Sequence, residues 1–159
     1  MISEDTKAMF HCLDEETVVE ERYFETGWGR THVYVVRSLN HKDEKLPVVV
    51  NAHGGGWTLE HSERDFYFCR RMAYLAGCVV FDIDYVLAPE HPYPAAVDDA
   101  QTAWDYLMLQ GYGAKDIFVA GDSAGGNLAL ALGLRLKKQK RMLPAGFVLM
   151  SPWTDLTVS

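Results

Sequence analysis

The sequence has few cysteines, no excess of positive charge and no long apolar run, and each shortage excludes a class of protein. No stretch approaches the ~18 consecutive apolar residues that a membrane-spanning helix requires. The 15 basic and 22 acidic residues give a formal charge of −7, which argues against a nucleic acid or an anionic membrane surface as the main partner. The first ten residues, MISEDTKAMF, lack the basic and apolar regions of a secretory signal.

The three cysteines, Cys12, Cys69 and Cys78, do not form the pattern of a disulfide framework or a zinc site. Their number is odd, and no Cys-x-x-Cys pair occurs. No two histidines share one predicted element at the spacing of metal ligands. We therefore expect a protein of the reducing cytoplasm that binds neither a metal nor a cofactor.

Apolar residues make up 48% of the 159 positions, which is typical of a globular protein. A chain of this length forms one domain and buries about two-thirds of the surface that its unfolded form exposes. We expect residues 1–159 to form a single, partial domain. Residues 1–45 would supply an amino-terminal cap segment and an antiparallel strand pair, and residues 46–159 the core strands and two glycine-rich turns.

Strand and helix patterns alternate along the chain. Four short apolar runs after position 45 are typical of strands buried on both faces of a sheet, and the segments between them have helical spacing. The predicted strands are 17–26, 31–38, 46–52, 78–83, 116–120 and 146–150, and the predicted helices are 62–76, 95–109 and 124–140. A turn at 27–29 makes the first two strands an antiparallel pair. This order predicts an α/β fold with a mostly parallel sheet and helices on both faces.

One glycine-rich turn that could carry chemistry is Gly121-Asp122-Ser123-Ala124-Gly125, between a predicted strand and a predicted helix. It has the form G-x-S-x-G. The two glycines keep side chains out of the space where strand and helix nearly touch, which holds Ser123 at the tip with its hydroxyl exposed. The free N–H groups and the dipole of the following helix favour negative charge there. The alternative is that Ser123 serves only as a helix N-cap.

The other turn is His53-Gly54-Gly55-Gly56-Trp57, directly after the third predicted strand. Three consecutive glycines cost conformational entropy, so they need a geometric reason. Backbone N–H groups aimed into a cavity, as an oxyanion hole for acyl transfer requires, supply one. A flexible loop or a phosphate cradle is the alternative, but the turn matches neither phosphate-loop pattern, G-x-x-x-x-G-K-[ST] or G-x-G-x-x-G. The sequence leaves open which two glycines donate.

Together and in this order, the motifs resemble the hormone-sensitive-lipase-like family of α/β-hydrolases, which includes bacterial acetyl esterases. The resemblance rests on HGGGW at 53–57, DYVLAPEHPYPAA at 84–96, GDSAGGNLA at 121–129 and SPWTDL at 151–156. It implies the α/β-hydrolase fold and serine-dependent hydrolysis of a small-molecule carboxylic ester, with short acyl chains favoured. The family usually has arginine where this chain has Val86, which bears on a structural ion pair near the proline-rich loop and not directly on the chemistry.

The resemblance implies a role for each residue of the two turns. Ser123 would be the nucleophile. The oxyanion hole would be lined by backbone N–H groups, those of Gly54, Gly55, Gly56 and Ala124. The turns would be supported by four neighbours, His53, Gly121, Asp122 and Gly125. Among the three glycines of the hole, we favour Gly55 and Gly56 as donors.

The base and the acid of a catalytic triad are missing from the expected places. A serine hydroxyl needs a base to take its proton, and α/β-hydrolases order the triad as serine, acid, histidine along the chain. All six histidines precede Ser123, and Asp155 is the only acidic residue after it. The resemblance treats the Asp155 stretch as structural. We therefore expect the amino-terminal portion of an esterase, inactive or feebly active alone.

Two other functions are compatible with the missing base. One is a non-catalytic ligand-binding or regulatory protein on the same scaffold, and the other is an inactive remnant of a truncated esterase. The predicted strand at 146–150 would leave the sheet, incomplete at its carboxy-terminal end, with an unpaired edge. The isolated chain would then be marginally stable, associate with itself through that edge, or pair with a missing carboxy-terminal segment.

Overall fold

The computed structural model describes residues 3–26, 29–41 and 46–157. Within those ranges the chain forms six strands, four α-helices and two short 3-10 turns. The strands are β1 Thr17–Thr26, β2 Gly29–Ser38, β3 Val48–Ala52, β4 Val79–Asp84, β5 Ile117–Asp122 and β6 Gly146–Met150. The helices are α1 Glu4–Phe10, α2 Glu63–Ala76, α3 Ala95–Leu109 and α4 Ser123–Lys138.

The strands of the described residues form one sheet in the order β1-β2-β4-β3-β5-β6. β1 pairs antiparallel with β2, and β2 with β4, whereas β4, β3, β5 and β6 run parallel to one another. Helix α2 packs on one face of the sheet, and helices α3 and α4 pack on the other. The predicted α/β fold with a mostly parallel sheet is confirmed. Of the predicted turn at 27–29, Gly27 and Trp28 lie outside the described residues.

Alternate side chains of the central strands face two separate cores. Val50 and Phe81 pack in the core under α3, where Trp104 is 1% exposed. Val80, on the opposite face, packs with Cys69 of α2. Because both faces are covered, the central strands read as continuous apolar runs rather than as alternating ones.

Every strand and long helix begins and ends within two residues of its predicted bounds, but the expected burial of β6 is wrong. Phe147 is 36% exposed and Val148 is 49% exposed, and the strand pairs only with β5 among the described residues. β6 is therefore an edge strand and not a strand buried on both faces. An apolar run alone does not reveal which strands flank it. Within the described ranges, β6 has no strand on the side away from β5. Association through this edge stays a prediction.

All three cysteines lie in the described part of the chain and are free thiols, with Cys12 exposed and the other two buried. Burial raises the pKa of the Cys78 thiol to about 11, so it remains protonated and acts as a packing residue. In the described residues, no helix has both the length and the apolar character needed to cross a membrane. The cytoplasmic location stays a prediction.

Candidate active site

The turn at 121–125 has the sharp strand-to-helix geometry that its motif predicts. β5 ends at Asp122 and α4 begins at Ser123, with no loop between them. Ser123 has a φ of +51°, in the left-handed region that costs a non-glycine residue roughly 1–2 kcal/mol. The N-cap position belongs to Asp122, so the structure does not support the alternative that Ser123 is the helix N-cap. Strain of this kind collects at functional sites.

Gly121 and Gly125 are required by the close approach of strand and helix. A Cβ on Gly121 would lie 2.4 Å from the carbonyl group of Gly125. A Cβ on Gly125 would lie 2.0 Å from the carbonyl oxygen of Ala52. The obstructing atoms belong to the backbone, so no side-chain rotation could make room. The two glycines let α4 start directly on top of the sheet.

The turn at 53–57, called the glycine turn below, lies against the strand-to-helix turn at 121–125, called the elbow. β3 and β5 are neighbours, with Ala52 opposite Gly121, so the turns that follow them meet at one edge of the sheet. The Gly54 N–H donates to Asp122 Oδ1 at 2.8 Å. A Cβ on Gly54 would lie 2.4 Å from Asp122 Oδ2, so only glycine lets this carboxylate approach the backbone. The sheet thus brings the two predicted turns together.

The N–H groups of Gly55 and Gly56 take part in no hydrogen bond among the described residues. The φ angles of these glycines are +119° and +63°, a region open to glycine without steric cost. The Gly55 carbonyl closes the turn by accepting the N–H groups of the third and fourth following residues, at 3.2 and 3.1 Å. Ala124 is the second residue of α4, and the first four N–H groups of a helix have no partner within it. The elbow and the turn therefore hold three uncommitted donors.

His53 supports the glycine turn from within the core, where it is 1% exposed. Its Nδ1 donates to the Gly54 carbonyl oxygen at 2.7 Å. The imidazole ring stacks on Tyr85 with centroids 4.4 Å apart, and the Tyr85 hydroxyl donates to the His53 carbonyl oxygen at 2.8 Å. Burial raises the pKa of that hydroxyl, which therefore remains a donor. These contacts fix the backbone at the start of the turn.

The other histidines lie outside the two turns. Three of them pair with carboxylates, namely His11 with Asp14, His32 with Asp84 and His61 with Asp82. No hydrogen bond within the described ranges joins a histidine to the Ser123 hydroxyl. Asp155 is exposed and accepts the N–H and the hydroxyl of Thr157 at 2.9 and 2.7 Å. These two hydrogen bonds lower the pKa of the Asp155 carboxyl.

The segment after β6 folds back onto the elbow. The Trp153 N–H donates to the Ser123 carbonyl oxygen at 2.9 Å, and the Asn127 side chain donates to the Trp153 carbonyl oxygen at 2.8 Å. The Trp153 indole stacks on Trp57 with ring centroids 5.4 Å apart. One tryptophan therefore joins the elbow to the glycine turn. Sequence reasoning missed both Asn127 and Trp153, although each lies inside a motif that it quoted.

An apolar cavity of about 320 Å³ lies beside the glycine turn, with Trp57 in its wall. Val86, Leu128 and Leu156 also line it. Its volume is near the lower end of the range of roughly 300–1,000 Å³ found for small-molecule pockets. Across the described residues, no three His, Cys, Asp or Glu side chains cluster as a metal site requires.

Comparison with known proteins gives relatives of one kind. A protein-family model described as "alpha/beta hydrolase fold" matches residues 49–159. An esterase of Acinetobacter venetianus is 43% identical over 112 residues, which are 70% of this chain and 37% of that protein. A hyperthermophilic esterase from the archaeon Pyrobaculum calidifontis is 36% identical, with a TM-score of 0.83 over 98% of this chain and 52% of its own. An esterase from the bacterial hormone-sensitive lipase family is 30% identical, with a TM-score of 0.80 over 96% of this chain and 51% of its own.

The chain spans about half the length of these two solved esterases. The family match extends from 49 to 159 and so contains both glycine-rich turns. The motifs of this chain and its superposition on solved esterases therefore indicate the same family. The chain belongs to the α/β-hydrolase family, in its hormone-sensitive-lipase-like branch.

Proposed function

We propose that this chain carries the nucleophile and the oxyanion hole of a serine-dependent carboxylic-ester hydrolase. Ser123 is the nucleophile. The oxyanion hole consists of three backbone N–H groups, those of Gly55, Gly56 and Ala124. The observation that carries the proposal is the hydrogen bond from Gly54 to Asp122, because it fixes the glycine turn against the strained Ser123.

In the proposed reaction, Ser123 Oγ attacks the carbonyl carbon of a bound ester while a base takes the hydroxyl proton. The electron pair of the C=O bond moves to the oxygen, and the N–H donors stabilise that negative charge. Collapse of the intermediate breaks the ester bond, and the alcohol leaves with the proton. Water then hydrolyses the acyl-serine by the same steps. Loss of one oxyanion donor costs about 10²–10³ in kcat in serine hydrolases.

Gly54 anchors the turn in this proposal and does not donate to the substrate. Its N–H is already bonded to Asp122, whose carboxylate also lies 4.0 Å from the Arg64 guanidinium. An N–H that holds a carboxylate cannot also hold an oxyanion. The predicted set of four oxyanion donors therefore narrows to three.

We propose that the base and the acid come from residues outside this chain. His53 is buried beneath the turn and His61 is paired with Asp82, so both imidazoles are committed to other contacts. The Asp155 carboxylate is bonded to its own loop. Relatives about twice as long as this chain have room for both missing groups.

The proposed ester substrates carry short acyl chains. The resemblance to acetyl esterases favours them, and so does the modest apolar cavity beside Trp57. A chain of a few carbons fits in about 320 Å³ with little apolar surface left in water.

Covalent labelling of Ser123 tests the proposal. The full chain would be incubated with a fluorophosphonate, with and without added imidazole, and the modified peptide identified by mass spectrometry. We expect the label on Ser123 alone and a faster reaction with imidazole, since imidazole supplies the base that the chain lacks. Ser123→Ala should abolish the labelling.

Ser151→Ala is the matched control, because Ser151 also follows a parallel strand and has a φ of +44°. Its labelling should equal that of the wild type. A label distributed over several serines, or none after prolonged incubation with imidazole, would refute the nucleophile assignment and favour a ligand-binding protein. Full turnover by residues 1–159 without imidazole would refute the proposed absence of a base.

A further inference from the structure

A buried ion pair lies at the far end of the glycine turn. After Trp57 the chain continues to His61, directly before the N-cap residue Ser62 of α2. His61 Nε2 hydrogen-bonds Asp82 Oδ2, on the central strand β4, at 2.5 Å. The His61 side chain is 5% exposed and the Asp82 side chain is 0% exposed. The pair therefore ties the end of the turn to the middle of the sheet.

Asp82 depends on His61 for a positive partner. The other carboxylate oxygen, Oδ1, accepts the neutral Asn51 side-chain amide at 2.7 Å. The same amide lies 3.5 Å from Cys69 Sγ, and burial holds the pKa of that thiol well above its usual range, so the sulfur is uncharged. A buried carboxylate is costly unless a cation pairs with it. His61 supplies this cation when its imidazole is protonated.

The His61 ring also connects Asp82 to the glycine turn. It is enclosed by three rings, at centroid distances of 4.9, 4.3 and 5.4 Å from Tyr34, Phe66 and His53. His53 in turn donates to the Gly54 carbonyl oxygen. A continuous set of contacts thus runs from Asp82 through His61 and His53 to Gly54.

We propose that His61 is a positioning residue, which with Asp82 holds the glycine turn in the conformation that Gly55 and Gly56 need to act as oxyanion donors. His61 touches neither substrate nor Ser123 in this role. Only the catalytic consequence rests on the proposed function, because the contact between the ion pair and the turn is a property of the folded chain.

The His61–Asp82 pair makes the conformational stability of the glycine turn dependent on pH. The titratable and charged groups around His61 are Asp82 and Asp84 on β4, Asp65 and its partner Arg64 on α2, Tyr34 on β2, and His53. Burial lowers the pKa of the His61 imidazole, but the hydrogen bond to Asp82 and the charges of the three carboxylates outweigh it, so the pKa is raised. The contribution of the pair is therefore complete below pH about 6.5 and is lost as the pH rises through the folded-state pKa.

Amide hydrogen exchange in the full chain tests the proposal. It is followed by NMR from below pH about 6.5 to above the folded-state pKa of His61, and the rates are corrected for intrinsic exchange. The reporters are the bonded N–H groups of Gly54 and Leu59 in the turn, and Val119 in β5 reports global unfolding. We expect Gly54 and Leu59 to be less protected than Val119 at every pH, because they exchange through a local opening of the turn, and their protection to fall about tenfold as the His61 ring titrates in the same sample. Val119 reports the accompanying loss of global stability.

His61→Gln should remove this protection at every pH. The double variant with Asp82→Asn should restore it without pH dependence, because an amide pair keeps a hydrogen bond and has no charge. His11→Gln is the matched control, since His11 pairs with Asp14 at 2.9 Å on the surface and should leave the turn unchanged.

The proposal fails if His61→Gln keeps the turn protected, or if the turn has the same protection as Val119 and so exchanges only through global unfolding, as a purely structural role predicts. It also fails if the double variant, which buries no unpaired charge, leaves the turn unprotected or its protection dependent on pH. The exchange uses neither substrate nor label, so failed labelling of Ser123 would refute the proposed function and leave this result intact.

Discussion

At the scale of single residues, the elbow combines a strained serine with glycines that have no substitute. Ser123 takes a left-handed φ, and Gly125 lies so close to Ala52 that a Cβ would overlap its carbonyl oxygen. Strain at one residue persists only because the packing around it is tight. The position of the hydroxyl therefore depends on residues that have no chemistry of their own.

Gly125→Ala should destabilise the chain by about 3 kcal/mol, because the new Cβ meets backbone that must shift. Urea unfolding followed by circular dichroism measures the change. Gly111→Ala is the control: Gly111 has a φ of +83°, but a Cβ there would meet no atom within 4 Å, so alanine should cost about 1 kcal/mol of backbone strain alone. Equal losses at the two positions would contradict the steric account of the elbow.

The sequence predicts the close approach at the elbow, because only glycine fits there and the glycines form a recognisable pattern. It does not predict which N–H groups stay free, since that depends on Asp122 reaching Gly54 from a strand that is far away in the chain. No sequence pattern indicated a role for His61 either. Its partner Asp82 lies within an apolar strand pattern, and their contact exists only in the folded chain.

At the scale of elements, the helices and strands follow from local signals, but the place of β6 in the sheet does not. The long helices end where glycine or a polar cap follows, so their bounds were predictable. Whether an apolar strand is central or at an edge depends on which strands flank it, and β6 has only β5 beside it in the described chain. Its exposed Val148 leaves apolar surface next to unpaired backbone groups.

We expect the chain to associate with itself through β6, and Val148→Lys should reduce this association, because a charge on an edge strand opposes pairing with a second copy. Sedimentation velocity at increasing protein concentration measures the effect, and stability should change by no more than about 0.5 kcal/mol. Leu134→Lys, on the exposed surface of α4, is the control and should associate like the wild type. A wild type that stays monomeric at every concentration would contradict association through β6.

At the scale of the whole molecule, the fold explains how two turns 68 residues apart in the chain meet. β3 and β5 are parallel neighbours, so the segments that follow them emerge at the same edge of the sheet. The α/β class was predictable from the alternation of patterns, whereas the pairing of β3 with β5, which makes the two turns meet, was not. In the proposed function, this fold holds Ser123 beside three free N–H donors, and the proton-transfer groups come from residues beyond this chain.

The central claim is that the glycine turn and the elbow hold one anion between them. Its most direct test is a crystal structure of the chain with a phosphonate bonded to Ser123 Oγ. We expect the phosphoryl oxygen about 3 Å from the nitrogens of Gly55 or Gly56 and of Ala124, with the Gly54 N–H still hydrogen-bonded to Asp122. A phosphoryl oxygen that faces solvent, or that displaces Asp122 from Gly54, would contradict it.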